Sequence, residues 1–586
     1  MSSIRINSIS IKNYRSFGEQ QNLISPNILY EKPVAIVGYN NSGKTNLMNA
    51  ILYGIGEKFL NERSFEQVDF HNLDITQDLE IKTSIQGSTY AVDDYGREKS
   101  IAGNYAISSK LVDNEIISKI SKSFFGANKH YGIFYINFHN IKEEISTQRT
   151  SWGNLRSFLG KHIQKIVESD SSMNSKKNIF EVEVNDSTNK VLLDSNLNLF
   201  IEVIRKNYST NLRNDNCTVK FGLPNYEDIF LKMLFKIGLN GNTDNLVPIN
   251  HFGDGYISMF VMAVIQAIAE SNIDDQCLFL FEEPESFLHE NHQEYFYKTV
   301  LCRLAEKGHQ VIYTTHSDKM IDPFDTKGLI RLEMDENNQT VKKYNNVGEF
   351  NYNLVVDETG EAINYSRYNE FVKTIEPNLN RILFSKKVLL VEGPNDVLVY
   401  KHAILKKVLA SIQHDVNIEN KNKFADTFLN FENISIVCHH GKPTALYFIE
   451  LCKHFKIEYF AINDWDFENS DLNIDEVTNF HNLESLQTSI IYTTSSTSRK
   501  GMMTTNWNLL NSAGINNIHF NNRKLETVIN YPNNDKSSLG IWNLLNSTEF
   551  RVSEALFPAK LEKFLGINLP ILIPELVPNI HDDLPF

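Results

Sequence analysis

Residues 4–12 alternate between apolar and polar as Ile4, Ile6, then Ser8, then Ile9 and Ile11, a strand-like pattern. Elsewhere the apolar positions come as short unbroken runs: Val34–Val37 after Pro33, Leu278–Phe281, Val311–Tyr313, Val388–Val391, Ile434–Cys438 and Ile457–Ile462. Runs of this length, rich in β-branched residues and bounded by turns, are the pattern of strands buried on both faces of a parallel sheet. Helical spacing follows several of them, as in Leu47, Met48, Ile51 and Leu52, in the long apolar stretch from Met259 to Ala269, and in Leu446, Phe448, Ile449 and Cys452. Strands that alternate with helices predict an α/β chain.

The turns between these runs carry the chemistry. Val34–Val37 leads into Gly38-Tyr39-Asn40-Asn41-Ser42-Gly43-Lys44-Thr45-Asn46, a G-x-x-x-x-G-K-T phosphate loop in its required setting of strand, glycine turn and helix. Glycines let successive N–H groups face the phosphates, Lys44 reaches the β and γ phosphates, and the Thr45 hydroxyl is a magnesium ligand. The run through Phe281 ends in Glu282-Glu283-Pro284-Glu285, at the strand end where open α/β sheets bind ligands. Glu282 is the candidate to hold the magnesium, and Glu283 to polarise the attacking water. Gln310 to Ser317 is a further strand ending in His316, a candidate contact to the γ-phosphate. Before the acidic strand, His251-Phe252-Gly253-Asp254-Gly255 sets a glycine loop on a helix N-terminus, a second phosphate-binding device.

The last third repeats the logic with acids alone. Lys387–Val391 ends in Glu392-Gly393-Pro394-Asn395-Asp396, where Gly393 makes the turn, Pro394 starts a helix and both acids flank the turn. Ile434–Cys438 ends near Gly441-Lys442, and Ile457–Ile462 ends in Asn463-Asp464-Trp465-Asp466. Residues two apart in an extended stretch face one side, so Asp464 and Asp466 are expected to point together toward the edge that carries Glu392. Carboxylates gathered there are costly unless a cation sits among them, and Mg2+ or Mn2+ takes such oxygen ligands.

Two resemblances rest on these residues. Ile11-Lys12-Asn13-Tyr14-Arg15-Ser16-Phe17, the phosphate loop running on into Asn46, and Glu283-Pro284-Glu285 followed by Leu288-His289 resemble the ABC-type ATPases of the SMC, RecF and OLD group. That resemblance implies two ATP sites formed between two heads, with Gly253 and Gly255 closing on the phosphate of the other copy; Phe252 stands where a serine is frequent, and Glu282 where an Asp is usual. The β-α-β-α-β order with Glu-Gly and then Asp-x-Asp resembles the Toprim fold. Together they make the chain similar to the OLD-family ATP-dependent endonucleases.

The implied architecture is an ABC-type ATPase head (1–105 and 236–345) with an inserted, mostly helical dimerisation segment (106–235). A junction (346–380) and a Toprim, Rossmann-like nuclease domain with a helical extension (381–586) follow. Helical patches such as Trp152 to Val167 lie in the insertion, without the sustained heptads of a long coiled coil. The family also implies a further acid and a lysine after the Toprim strands, for which Glu526 and Lys536 are the candidates; a surface lysine is an equal reading of Lys536. It implies ATP and Mg2+ or Mn2+ as cofactors, DNA as substrate, a homodimer or higher oligomer, phage defence and a helicase-like partner.

Length and composition narrow the rest. The 586 residues suggest about three or four domains, and 41% hydrophobic with 11% aromatic residues is a folded composition. No run approaches the roughly 18 apolar residues that span a bilayer, and no apolar signal segment follows Met1. The five cysteines show no C-x-x-C spacing and read as reduced thiols, so a cytoplasmic location is expected. The net charge, 57 − 72 = −15, excludes nucleic-acid coating by the whole surface but not a local basic channel. Besides the nuclease, two readings remain open. One is a RecF-like scaffold with a non-catalytic Toprim-like module. The other is a topoisomerase-like strand breaker, which needs a catalytic tyrosine among the 24 present.

Overall fold

The computed structural model describes residues 3–24, 32–56, 58, 60–92, 98–100, 103–122, 133–141, 171–192, 195–212, 236–238, 246–271, 276–322, 324, 329–344, 350, 365–415, 418–467, 472, 474–532 and 537–567. Two compact units make up the chain. The first takes in Met1–Val37, Asn41–Ile321 and Lys327–Val347, and the second Gly348–Phe586 with Gly38–Asn40 and Asp322–Thr326.

The first unit holds two large sheets. One is antiparallel, in the order β2(Gln21–Ile24)-β1(Ser3–Lys12)-β4(Leu79–Val92)-β6(Gly103–Val112)-β7(Glu115–Lys122), with β5(Glu98–Ser100) also on β4. The other runs β14(Thr340–Tyr344)-β13(Leu329–Met334)-β3(Val34–Val37)-β12(Gln310–Thr314)-β11(Leu278–Glu282)-β8(Ile133–Asn137). It is parallel from β13 to β8, and β14 is the antiparallel edge. A short pair, β9(Lys236–Ile237) and β10(Val247–Pro248), stands apart. One core joins both large sheets: Ile4, Ile6, Ile9 and Ile11 of β1 pack with Leu47, Met48, Ile51 and Leu52 of helix Lys44–Gly54 and with Ile36, Leu280 and Ile312. Each such side chain contributes roughly 1.5–3 kcal/mol when fully buried.

The insertion expected over 106–235 needs correcting. Strands β6 and β7 belong to the antiparallel sheet, and β8 forms the edge of the parallel one beside β11. The physical reason is period-two burial: Tyr105, Ile107 and Ser109 point inward while their neighbours do not. The helical character starts later, in helices Ser171–Leu192 and Asn196–Leu212; Trp152 to Val167 lies outside the described residues.

The second unit is a four-stranded parallel sheet in the order β16(Ile434–Cys438)-β15(Lys387–Val391)-β17(Glu458–Asp464)-β18(Ile518–Asn521). Leu389, Val391, Phe460 and Ile462 on one face bury Val399, Tyr400 and Ala403 of helix Pro394–Ser411, with Ile541, Leu545, Leu561 and Leu565 beyond. Because every strand is parallel, the ends of β15, β16 and β17 open on one edge, which is where the chain keeps its acids. Among the described residues no helix is long and apolar enough to cross a membrane.

Candidate functional site

The ATPase-like cluster forms at the ends of β3, β11, β12 and β8. Gly43 caps helix Lys44–Gly54 at φ +95, a backbone shape that L side chains rarely adopt, and a Cβ there would collide with Thr340 Oγ1 and lie 2.9 Å from Ser16 Oγ. Gly38 and Asn41 also have positive φ. Asn40, Asn41 and Thr45 are exposed, whereas Ser42 is buried. Asn46 donates from Nδ2 to Ser16 Oγ at 2.8 Å, tying the helix start to the Tyr14–Phe17 turn. Burial pushes Lys44 down to about 8, against the pull of Glu283 and Glu285.

Glu282, the buried last residue of β11, accepts from Tyr135 Oη at 2.8 Å and from Asn137 Nδ2 at 3.2 Å. Both donors lie on β8, whose Asn137 is in register with Glu282. Glu283 turns into the left-handed region at φ +47, and its N–H donates to Thr314 Oγ1 at 3.1 Å. Its carboxylate receives His139 Nε2 at 2.5 Å and lies 3.3 Å from His316 Nε2. The hydrogen bond and charge of His316, then those of His139, hold Glu283 down at about 2 despite its burial. Glu285 accepts the His316 N–H at 2.5 Å, and burial raises its carboxyl. The predicted His316 is therefore in place beside Glu283. The Gly253-Asp254-Gly255 loop opens the helix Asp254–Ser271, and a Cβ at Gly255 would lie 3.2 Å from Phe287 O. The residues that sequence reading missed are Tyr135, Asn137 and His139; the apolar run Ile133–Ile136 just before them was the available signal.

The acidic cluster of the second unit forms on β15, β17 and the two following turns. Gly393 caps helix Pro394–Ser411, and its N–H donates to Asp396 Oδ2 at 3.1 Å. Glu392 Oε2 accepts the Asp464 N–H at 3.3 Å, which links the two strand ends. Asp464 Oδ1 accepts from Leu525 N at 2.9 Å and Asn521 Nδ2 at 3.2 Å, and Asn521 in turn accepts from the buried Tyr400 Oη at 2.9 Å. Burial, then the charges of Asp464 and Glu392, push Asp396 up to about 8. Burial, then Glu392, push Asp464 up to about 7, with Asp466 and Glu526 adding to it. Glu526 is buried on the short helix Leu525–Val528, with Lys524 Nζ at 4.0 Å.

Asp466 departs from expectation. It lies past the end of β17 at φ +66, so strand alternation does not orient it. Its carboxylate is ion-paired with Lys442 Nζ, a partner that sequence reading missed. Lys536 lies outside the described residues. Among the described residues no group of three or more His, Cys, Asp or Glu side chains is arranged as a ready-made metal site. The donor chemistry nevertheless fits a hard divalent ion: the donors are all carboxylates, and burial, then their neighbours' charge, raises Asp396 and Asp464.

Residues 97–321 match the family described as AAA ATPase domain, and residues 383–466 match the Overcoming lysogenization defect protein-like TOPRIM domain. The second stretch contains Glu392, Asp396, Asp464 and Asp466. The chain is 22% identical over 426 residues to Endonuclease GajA of Bacillus cereus (strain VD045), covering 68% of each protein. It is 24% identical over 495 residues to Old nuclease of Escherichia phage P2, covering 79% of this chain and 78% of that protein. Among solved structures, an SMC head bound to the C-winged helix domain of ScpA aligns with a TM-score of 0.35 and 17% identity, over 57% of this chain and 97% of that one. With nucleotide and divalent metal use implied by its two domain types, the chain joins an AAA-type ATPase domain to an OLD-like TOPRIM domain and is homologous to these nucleases over most of its length.

Proposed function

We propose that this protein is an ATP-dependent, metal-dependent DNA endonuclease whose TOPRIM domain breaks phosphodiester bonds under control of the ATPase domain, in a role of defence against phage. The observation that carries the reading is the raised pair Asp396 and Asp464 beside Glu392. Acids held together at such cost are explained by a cation that belongs among them. A scaffold with a non-catalytic module leaves that arrangement without a purpose.

In this reading Glu392, Asp396, Asp464, Asp466 and Glu526 hold the divalent ions, and Lys536 neutralises charge on the phosphate under attack. Bound Mg2+ or Mn2+ supplies an activated water and stabilises the charge that develops on the leaving oxygen. The hydrogen bonds from Asn521 and Leu525 both fall on Asp464 Oδ1 and fix the side chain, which would leave Oδ2 to hold an ion. In the ATPase domain Lys44 contacts the β and γ phosphates, and Thr45 and Glu282 hold the nucleotide's magnesium. Glu283 orients the attacking water, and His316 senses the γ-phosphate. The phosphate loop, Gly38 to Asn46, cradles the nucleotide. Gly253 and Gly255 close on the phosphate of a second copy, which makes the working form a homodimer or larger.

The test is a plasmid assay with the full chain. Supercoiled DNA should be nicked or linearised with Mg2+ or Mn2+, spared with EDTA, and cut at a different rate when ATP is added. A chain that leaves supercoiled, linear and single-stranded DNA intact with both ions refutes the reading.

A further inference from the structure

The turn between β16 and the helix Lys442–His454 is built into the acidic cluster, although no residue of it has a part in the function proposed above. His439 is wholly buried, with its ring against Gly441 O at 3.0 Å and Ile462 O at 3.3 Å. The N–H of His439 donates to Val391 O at 2.8 Å, and that of His440 to Glu392 O at 3.1 Å. The ring of His440 lies 3.3 Å from the buried Glu376. The turn is therefore stapled to the end of β15, at Glu392, and to β17 two residues before Asp464. Gly441 adopts φ +133 with nothing within 4 Å of an added Cβ, so the backbone shape, not lack of space, calls for glycine. That shape delivers Lys442, the first residue of the helix, to Asp466. The lysine side chain is 10% exposed and the aspartate 41%. Asp466 is itself held at φ +66, its N–H donating to Arg523 O at 2.9 Å.

An ammonium group and a divalent ion compete for the same carboxylate oxygens. A lysine buried to this degree and paired with Asp466, two residues past Asp464, occupies a position that a metal would claim. We infer that Lys442 is a positioning residue that holds Asp466 while the site is without metal. When the ion takes Asp466, the freed ammonium turns to a non-bridging phosphate oxygen of the DNA. No anion is left alone by the exchange: the divalent ion takes over the carboxylate, and the displaced ammonium meets the phosphate. The inference rests on the nuclease reading for its second half only.

The experiment uses the full, nucleotide-free chain and Mn2+ as the probe, read by electron paramagnetic resonance, with Lys442→Met and Lys442→Arg. Methionine removes the competitor, so Mn2+ should bind roughly three- to tenfold tighter. Arginine pairs with a carboxylate through two parallel N–H groups, so Mn2+ should bind more weakly than in the wild type. At saturating Mn2+, plasmid cleavage by the methionine variant should still fall by roughly tenfold or more. Unchanged or weaker Mn2+ binding in the methionine variant overturns the inference, as does wild-type cleavage at saturating metal. Should methionine prevent folding, the arginine variant decides, because wild-type Mn2+ affinity there overturns the inference too. If the wild type cuts no DNA, the nuclease reading fails, while the opposed Mn2+ shifts still decide whether Lys442 guards Asp466.

Discussion

Both units place carboxylates at the ends of parallel strands, and the two sets are treated in opposite ways. Glu283 is held down at about 2, because His316 and His139 stand on either side of its carboxylate. Asp396 and Asp464 are pushed up to about 8 and about 7, because burial and other acids surround them. The same side-chain chemistry thus has its partners built into the protein at Glu283 and left out at Asp396 and Asp464. A carboxylate whose partners come from the fold stays ionised and can act on water. A cluster without enough partners is set up for a cation from solution. Strand-end position alone does not separate these uses; the neighbours do.

The sharpest way to break the comparison is to remove one acid of the second cluster. Asp464→Asn keeps the shape and the contacts to Asn521 and Leu525 but removes the charge proposed to bind metal. DNA cleavage should drop by roughly three orders of magnitude or more, since losing such stabilisation costs several kcal/mol of barrier at about 1.4 kcal/mol per tenfold. ATP hydrolysis should stay close to wild type, and a parallel loss of both activities would show that the two clusters are not independent.

Glu283→Gln tests the other side. With the proposed base neutralised, ATP should still bind, while turnover falls by roughly two orders of magnitude. A glutamine variant that hydrolyses ATP normally would move the role to Glu282 or Glu285.

A third test isolates burial from partner charge. His309 is almost fully buried, stands edge-on to Phe279 and accepts the Cys277 N–H at Nδ1, an arrangement that only the neutral ring allows. Burial, then Lys307 and Arg5, hold it down at about 4. The unfolded chain takes up this proton near pH 6.5 and the folded one resists it. The stabilisation is therefore complete above 6.5 and lost as pH falls through 4, amounting to at most about 3 kcal/mol. Melting of the ATPase unit should fall across that window, and His309→Gln should flatten this part of the profile. An unchanged slope in the variant would rule out His309 as its source.

What could be read in the sequence follows from locality. Gly393 and Pro394 announce a helix start, and the acids on either side of it come with the turn, so Glu392 and Asp396 were legible. Strand β8 is not, because its partner β11 lies some 145 residues away and β8 itself falls within 106–235, expected to be a helical insertion; with β8 go Asn137 and His139. Strand alternation would turn Asp466 to the side of Asp464, but the chain leaves the strand before reaching it. Its pairing with Lys442 spans 24 residues and two elements, and no periodicity carries such a contact.

His139 supplies the smallest expected effect and the finest cut through the comparison. Its ring touches Glu283 as His316 does, yet its side chain is 53% exposed, against 35% for His316. An exposed partner is screened by water and contributes less than its geometry suggests. In the proposed mechanism His316 also meets the γ-phosphate, whereas His139 acts only through Glu283. His139→Ala should therefore lower kcat for ATP by roughly three- to tenfold, with KM little changed, because the acid remains in place but loses one of the groups that orient it. His316→Ala should lower kcat further and raise KM as well. Equal effects from the two variants would mean that neither contacts nucleotide. No effect from His139→Ala would mean that His316 alone keeps Glu283 ionised and aimed, and that the contrast between the two acidic clusters rests on a single histidine.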